Sequence, residues 1–419
     1  MPPLSAATQP VSDARPGPGS LYYGWANVAV AALGMVGTLP GRTQGLGLIT
    51  EPLLVDLHMN RVSYATINLW ATLIGSLFCI PCGRLVDRFG SRAVLTIVIA
   101  ALAATVLGMS VTSGWMPLAV TITLSRGLGQ SALSVVSLTL VGKWFGRGLN
   151  QAMGIYSVLV AIGFIAAFPS VGGAVLAFGW RAAWSGVGWA LLLAVAPIAW
   201  MVVRNGPEDR GLQFDGERPD SAAAADMTVF EALRTTAFWV FALSSSMFGL
   251  VYSGISLFNQ SILEQRGFDA SVYHTVVVIS TMLGLAANFA GGWLASRWPI
   301  QRVMGLGMAV LSCALVALPL VRSFTHVVCY GAAMGVAGGI ITVVFFSVWG
   351  QVYGRRHLGK VQGCAQMTTV FASAIGPLLL AGTLERTGSY DSIFYGLAVV
   401  VTGLGVASWL VRLPSRRLV

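Results

Sequence analysis

Charged side chains are scarce in this chain of 419 residues. They make up 10% of it, whereas hydrophobic residues make up 56%; an ordinary soluble domain is about one quarter charged. So few charges cannot cover the surface of a soluble protein of this size. The apolar residues form runs of roughly 20, the length of a helix that crosses a hydrocarbon core about 30 Å thick. The composition therefore predicts a polytopic membrane protein.

Cysteine is also sparse, and its placement excludes a secreted disulfide framework. All five cysteines lie in or beside the apolar runs. Cys79 and Cys82 form a CxxC pair, but no second pair of thiols or histidines is near in sequence, so packing is favoured over a zinc site. The basic residues give a net charge of +10, but they are scattered singly, which argues against a nucleic-acid partner. We expect no metal and no cofactor.

Apolar runs and helix breakers predict twelve membrane-spanning helices. The predicted spans are 23–50, 64–83, 93–112, 116–142, 151–177, 182–203, 237–262, 272–296, 303–321, 326–349, 360–383 and 390–411. Twelve spans place both termini on one side, which carries 18 of the 25 Lys and Arg residues, against five on the other side. The positive-inside rule makes the 18-residue side cytoplasmic. We therefore expect a multi-pass protein of the cell (inner) membrane with both termini in the cytoplasm.

The chain divides into two halves at its longest polar stretch, residues 204–236. This stretch holds Pro, Gly and six acidic residues between positions 208 and 226, as expected of a cytoplasmic linker. The N-terminal residues lack the apolar core of a cleavable signal. The division predicts a disordered cytoplasmic tail, an N-terminal bundle, the linker, a C-terminal bundle and a second cytoplasmic tail, at residues 1–22, 23–203, 204–236, 237–411 and 412–419.

The two halves repeat each other. At an offset of 209 positions, Gly83 aligns with Gly292 and Arg88 with Arg297. Near-equal, parallel halves are the arrangement of a transporter that rocks two bundles about a central site. The expected fold class is an all-α membrane protein with twelve transmembrane helices in two pseudo-symmetric six-helix bundles.

The loop after the second span carries a motif. It reads Gly83-Arg84-Leu85-Val86-Asp87-Arg88-Phe89-Gly90-Ser91-Arg92, and it resembles the G-x-L-x-D-R-x-G-x-R loop of the major facilitator superfamily at every defined position. The resemblance covers nearly the whole chain and implies the major facilitator fold. In the family this loop is a cytoplasmic gate latch; the alternative is a topogenic charge cluster. The gating residues that the resemblance implies are Gly83, Asp87, Arg88, Gly90 and Arg92.

Shorter patterns suggest a branch of the family. Tyr22-Tyr23-Gly24-Trp25 and Pro207-Glu208-Asp209-Arg210-Gly211-Leu212 are similar to segments of the bacterial branch related to monocarboxylate and oxalate transporters. The chain departs from these relatives in two places. Span eight lacks the acid and the arginine of monocarboxylate carriers, and span eleven lacks the lysine associated with oxalate exchange. The second copy of the gate loop, which ends at Ser296-Arg297, lacks the acid, so any latch is asymmetric.

Arg126 lies near the middle of the fourth predicted span, where a charge costs several kcal/mol unless it faces protein or water. Residues 125–131 resemble the family's R-x-x-x-G element, with Gln130 in place of the glycine. In the family this arginine often takes part in substrate binding or proton coupling. The resemblance therefore implies a substrate-binding role for Arg126, and Gln130 beside it is a further candidate binding residue. The alternative is a structural arginine whose donors are satisfied by backbone carbonyls.

Arg42 stands in the first predicted span, after the helix-weakening Pro40-Gly41. It lies about 9 Å outward of the span's midpoint at 1.5 Å per residue, so snorkelling to the outer interface is one interpretation. The other is a broken helix that exposes backbone groups, the way transporters build midplane sites. Arg42 also resembles the span-one cation that follows a proline in monocarboxylate carriers.

The two arginines lack counter-ions, because no Asp or Glu lies in the middle of any predicted span. An anionic substrate would supply the missing charge, since arginine binds carboxylates through two parallel hydrogen bonds. The repeat places uncharged residues at the equivalent C-terminal positions, so the C-terminal bundle would add neutral hydrogen bonds. The candidates for these bonds are Tyr252, Asn259, Asn288 and Gln366, each of which is alternatively a contact between helices.

The sequence thus predicts a secondary active transporter of a small organic anion, with a carboxylate favoured. Protons are the candidate coupling ion, and exchange or facilitated diffusion is equally allowed. The alternative is proton-coupled efflux of drugs or sugars. An enzyme is not expected, because no nucleophile, acid–base pair or metal cluster stands at membrane depth. Gly331, Gly335 and Gly339 are typical of helix packing within one chain, so a monomer is expected.

Overall fold

The computed structural model describes residues 22–212 and 227–414, and these form helices joined by short loops. The N-terminal half contains span 1 (Gly24–Val36, Leu39–Gly41, Thr43–Gly47 and Thr50–Asp56), span 2 (Arg61–Ser76 and Cys79–Phe89), span 3 (Ser91–Ser110), span 4 (Trp115–Ser125, Arg126–Leu133 and Ser134–Trp144), span 5 (Leu149–Phe178) and span 6 (Trp180–Ala190, Leu191–Val195 and Ala196–Val202). The C-terminal half contains span 7 (Thr236–Glu264), span 8 (Ala270–Arg297), span 9 (Ile300–Ala317 and Leu318–Leu320), span 10 (Phe324–Tyr353), span 11 (Leu358–Thr387) and span 12 (Asp391–Leu410).

The all-α architecture with six spans in each half is confirmed. Among the described residues, ten helices are long and apolar enough to cross a membrane. The other two spans are span 1, which is broken into four helical pieces, and span 4, which carries Arg126 and Gln130. Of the predicted tails and linker, residues 1–21, 213–226 and 415–419 lie outside the described residues.

Short polar side chains begin several of the helices. The Asn60 carboxamide oxygen accepts a hydrogen bond from the Ser63 amide (2.7 Å), which caps span 2. Thr228 and Glu231 form a reciprocal capping box at the short helix Val229–Leu233 before span 7, and the hydrogen bonds from Thr228 lower the pKa of the Glu231 carboxyl.

Gly90 alone joins spans 2 and 3, with a φ of +83° that favours glycine.

The first and last described residues lie on one face of the bundle, called here the terminal face; the opposite face is the far face. On the terminal face the Tyr22 hydroxyl donates to the Trp144 carbonyl (2.9 Å), and the Trp144 indole donates to the Arg204 carbonyl (2.9 Å). The start of span 1, the end of span 4 and the end of span 6 therefore meet on this face.

On the far face, an ion pair between described residues holds helix ends together in each half. In the N-terminal half Arg181 pairs with Asp56 (2.8 Å) and donates to two carbonyls after span 3. In the C-terminal half Arg266 pairs with Asp391 (2.6 Å) and donates to a carbonyl at the end of span 9. Both members of the second pair lie 210 positions after those of the first, but with their charges exchanged. The repeat therefore preserves the contact and reverses its polarity.

The small residues of span 10 pack within the chain, as predicted. A Cβ atom added to Gly335 would lie 2.3 Å from the Ser280 carbonyl oxygen, and one added to Gly339 would lie 2.5 Å from the Gly284 carbonyl oxygen. Glycine at these positions lets spans 8 and 10 approach backbone to backbone.

The two halves meet closely on the terminal face. Span 2 touches span 11 at Gly83, where an added Cβ atom would lie 2.2 Å from the Gly359 carbonyl oxygen. Span 5 touches span 8, where the Asn150 carboxamide donates to the Ala295 carbonyl (2.5 Å). Both seams are too tight for larger side chains, so the halves are closed against each other on this face.

Candidate functional site

Span 1 breaks at Pro40-Gly41, and the break lies against span 4. The helix tightens to a 3₁₀ turn at Leu39–Gly41, and Arg42 is extended, with φ −93° and ψ 152°. A Cβ atom on Gly41 would lie 2.2 Å from the Ser125 carbonyl oxygen and 2.9 Å from the Gln130 amide nitrogen. Only glycine allows this approach, which places Arg42 next to the irregular part of span 4.

Span 4 is irregular at the same level, because Arg126–Leu133 forms a π-helix. Segments of this kind are rare and are frequent at functional sites. The segment begins at Arg126, and its Gly129 lies beside Gly41. The two predicted arginines therefore stand next to each other in irregular segments of spans 1 and 4.

Arg126 is held by three neutral side chains from three spans. It is 3% exposed. One terminal nitrogen, Nη1, donates to the Thr43 hydroxyl (2.9 Å) and the Gln130 carboxamide oxygen (3.0 Å), and Nη2 donates to the Asn68 carboxamide oxygen (2.9 Å). The remaining Nε has no partner. Arg126 thus ties spans 1, 2 and 4 together, and its acceptors carry no charge.

Arg42 is half-buried, and its side chain points back along span 1, away from the far face. Its Nε donates to the Thr38 hydroxyl (2.6 Å), and Nη2 contacts the Met35 sulfur (3.1 Å), one and two turns back along span 1. The guanidinium carbon lies 5.1 Å from the centre of the Phe164 ring on span 5. This direction is opposite to that of a snorkelling side chain, which would extend toward the outer interface. The Nη1 group makes no hydrogen bond to a described residue.

Tyrosines from both halves are within electrostatic range of Arg42. Tyr156 of span 5 and Tyr252 of span 7 both interact with its charge. Tyr156 is fully buried, its hydroxyl has no hydrogen-bond partner, and its ring packs against Phe346 of span 10 (5.5 Å between centroids). Tyr252 is 46% exposed. Arg42 therefore lies where the two halves meet.

The remaining predicted binding residues are farther apart. Gln130 belongs to the Arg126 cluster, and Tyr252 is within electrostatic range of Arg42. Asn259, Asn288 and Gln366 make no hydrogen bond to either arginine in the part of the chain that the structure describes. The backbone of Asn288 lies at the seam between spans 5 and 8, where its carbonyl oxygen is 3.5 Å from the Cβ position of Gly154.

Asp87 is the residue of the gate loop that crosses to the other half. Its carboxylate accepts hydrogen bonds from the Gly359 amide (3.0 Å) and the Lys360 amide (2.9 Å) at the start of span 11, and it pairs with Lys143 of span 4 (3.3 Å). The first amides of a helix have no partner within the helix and carry a partial positive charge. A carboxylate 5% exposed at this position binds the two halves together on the terminal face.

The other gate-loop residues have different partners. Gly83 lets span 2 touch span 11. Gly90 and Arg92 contact the end of span 6 in their own half, where the Arg92 guanidinium lies 4.3 Å from the centre of the Trp200 ring and donates to the Trp200 carbonyl. Arg88 lies over the neighbouring Phe89 ring (5.2 Å).

Sequence reasoning missed several residues of this site. Asn68 holds Arg126, Tyr156 faces Arg42, and Asn150 joins spans 5 and 8. Each is a single polar residue in an apolar run, without a motif around it. In the described ranges, no group of three or more His, Cys, Asp or Glu side chains is placed to hold a metal ion.

Two six-span halves that meet at broken, charged spans define the class of secondary transporters built from repeats. The family model of the Major Facilitator Superfamily matches residues 25–328 and, again, 241–418. The chain belongs to the Major Facilitator Superfamily. Since members of this superfamily are transporters, it is a transporter and not an enzyme.

Curated relatives and solved structures agree with this assignment. The chain is 20% identical to the hexuronate transporter of Bacillus subtilis over 75% of this chain and 78% of the relative. It is 25% identical to monocarboxylate transporter 13 of Bos taurus over 84% of this chain and 80% of the relative. Its fold is similar to that of the human organic anion transporter MFSD10, with a TM-score of 0.68 and 16% identity over 92% of this chain and 100% of that one. It is also similar to the transporter FucP in its outward conformation, with a TM-score of 0.66 and 13% identity over 92% of this chain and 98% of that one.

Proposed function

We propose that this chain moves a small organic anion with a carboxylate group across the cell membrane by alternating access. The observation that carries the proposal is that both arginines at membrane depth contact neutral partners among the described residues. An arginine at this depth costs several kcal/mol when its charge is unpaired. A substrate carboxylate would supply the counter-charge that the protein does not.

The two arginines have different roles in this proposal. Arg42 receives the carboxylate, because Nη1 is unoccupied by any described residue and Nη1 and Nη2 together form the edge that binds a carboxylate through two hydrogen bonds. The unpartnered hydroxyl of Tyr156 supports this placement, since a bound anion would satisfy it. Arg126 keeps its three neutral acceptors, so it holds the broken span 1 in place and adds positive potential.

The terminal face is the cytoplasmic face in this proposal, because the positive-inside rule assigns it so. The halves are closed against each other on that face, and Tyr252, which is within electrostatic range of Arg42, is 46% exposed. The described conformation is therefore the one that admits substrate from outside. Binding at Arg42 would draw span 7 toward span 1 through Tyr252, the movement that closes the outer side.

The substrates after which the relatives are named support an anionic substrate for this chain. Hexuronates and monocarboxylates are both carboxylates, and one structural neighbour is named an organic anion transporter. A fucose:proton symporter is also a neighbour, so a neutral sugar is the substrate to test against.

The experiment is a thermal-shift screen of the purified protein with monocarboxylates, hexuronates and neutral sugars. A ligand at 100 times its dissociation constant should stabilise the protein by about 2.7 kcal/mol. Arg42→Gln removes the charged donor, so we expect carboxylate binding to weaken by about 10- to 150-fold, the equivalent of roughly 1.5–3 kcal/mol. Arg42→Lys should recover part of the binding, because lysine keeps the charge but not the paired geometry.

Arg322→Gln is the matched control, since it removes an exposed arginine outside the site. It should leave the ligand response unchanged. A normal carboxylate response in Arg42→Gln, or stabilisation by neutral sugars alone, would contradict the proposal.

A further inference from the structure

The second copy of the gate loop, at the end of span 8, has no carboxylate. Ser296 occupies the repeat position of Asp87, and Arg297 occupies that of Arg88. The seam is held instead by the Asn150 carboxamide, which donates to the Ala295 carbonyl (2.5 Å). Arg297 forms no ion pair with any described residue, so this end of span 8 carries an uncompensated positive charge.

Arg297 stands at the end of a stripe along span 8. Phe289, Trp293 and Arg297 are spaced by four residues, so they lie on one side of the helix. The Arg297 guanidinium lies 4.2 Å from the centre of the Trp293 ring, and both aromatic side chains are exposed. From Phe289 to Arg297, at the terminal face, the stripe is about 12 Å long at 1.5 Å per residue.

The stripe is one wall of a cleft at the seam between the halves. Gln151 of span 5 forms the opposite wall, and Ser296 also lines the cleft. The volume of the cleft is about 250 Å³. The Ser296 hydroxyl already donates to the Trp293 carbonyl (2.6 Å), so Arg297 and Gln151 are the groups that remain to bind a ligand. One wall belongs to each half of the protein.

We propose that this cleft binds an anionic phospholipid of the cytoplasmic leaflet. The phosphate would contact Arg297 and Gln151, and the glycerol and first acyl carbons would lie along Trp293 and Phe289. Basic pockets between helices on the cytoplasmic side suit anionic headgroups, and exposed aromatic rings suit the interface. A soluble anion would leave the exposed apolar stripe without a partner, which is why a lipid fits better.

The acidic side chains described on this face do not compete for Arg297. Asp87 binds span 11 and Lys143, and Glu208 pairs with Arg355. Asp209 accepts a hydrogen bond from the Asn205 amide, and Glu231 accepts two from Thr228. The positive charge at the cleft is therefore available to a lipid headgroup.

Lipid binding would also select a conformation. Because the two walls come from different halves, the cleft exists only while spans 5 and 8 are closed against each other. A ligand shifts a conformational equilibrium by its difference in affinity for the two states. The bound lipid would therefore stabilise the state that is closed on the terminal face.

The test is native mass spectrometry of the full chain released from bilayer nanodiscs that contain phosphatidylcholine and phosphatidylglycerol. Wild type should retain phosphatidylglycerol, and Arg297→Gln should lower its apparent affinity about fivefold, the factor for about 1 kcal/mol per basic residue near an anionic surface. Arg297→Lys should largely restore it. Arg302→Gln is the matched control, because Arg302 also lies over a tryptophan ring (Trp409, 6.0 Å) but away from the seam.

Three outcomes would overturn the proposal. Arg297→Gln could retain as much phosphatidylglycerol as wild type, or Arg302→Gln could lose as much, which would indicate unspecific attraction to charge. Soluble glycerol phosphate could displace the lipid at concentrations near the lipid's own, which would assign the site to the phosphate group alone. Size-exclusion profiles of each variant in detergent confirm that the comparison is made on folded protein.

Discussion

Replacing Asp87 with Asn should open the terminal face. Asp87 is 5% exposed and accepts hydrogen bonds from the two first amides of span 11 while pairing with Lys143. Asparagine has one acceptor oxygen, so it keeps at most one of the two bonds and loses the charge. Hydrogen bonds to charged groups contribute about 1.5–3 kcal/mol each. The loss of one should raise the population of the open state by about 10- to 150-fold.

The assay is amide hydrogen exchange measured by mass spectrometry on peptides that cover residues 355–365. Exchange of the Gly359 and Lys360 amides should accelerate by a similar factor, because these amides lose their acceptor and the open state exposes them. Arg92→Gln is the control, since Arg92 is in the same loop but contacts span 6 of its own half. Unchanged exchange at the start of span 11 in Asp87→Asn would refute the assignment of Asp87 as the contact that holds this face closed.

Two further predictions concern the seam between the halves and the ion pair within the N-terminal half. Gly83→Ala places a Cβ atom 2.2 Å from the Gly359 carbonyl oxygen, so overpacking of about 1–3 kcal/mol should favour the open state in the same exchange assay. Gly108→Ala is the control, because a Cβ atom there meets nothing within 4 Å. Equal effects of the two substitutions on exchange would contradict this account. Asp56→Arg should lower the free energy of unfolding by about 0.2–1 kcal/mol, because the ion pair with Arg181 is partly exposed. Adding Arg181→Asp should restore the stability. A double variant less stable than both single variants would show that the exchanged polarity cannot be transferred between halves.

The functional site was partly predictable, because two of its residues break strong local rules. An arginine in an apolar run and a Pro-Gly pair in a span are visible in the sequence, and the structure places Arg42 and Arg126 in irregular segments of spans 1 and 4. Asn68, Thr43 and Tyr156 could not be assigned in the same way. Their roles depend on which neighbouring span they face, and a single polar residue in an apolar run does not reveal that.

The gate loop shows the same limit. Its motif identified Asp87, but the motif alone did not separate residues that cross to the other half from those that do not. Arg92 contacts span 6 of its own half, and Gly90 lies against Asn205, just after that span. Lys143, which is outside the motif, pairs with Asp87. Spacing along the chain places these residues on one face, and tertiary packing selects their partners.

That this protein spans a membrane, is built from two six-span halves and belongs to a transporter family could all be predicted before its structure was known. These properties follow from hydropathy, repeat spacing and a local motif, each of which is read along the chain. The neutral partners of Arg126, the position of Arg42 within electrostatic range of tyrosines from both halves, and the exchanged charges of the far-face ion pairs became visible only in the folded chain. Such contacts join residues far apart in sequence, and they depend on how the helices pack.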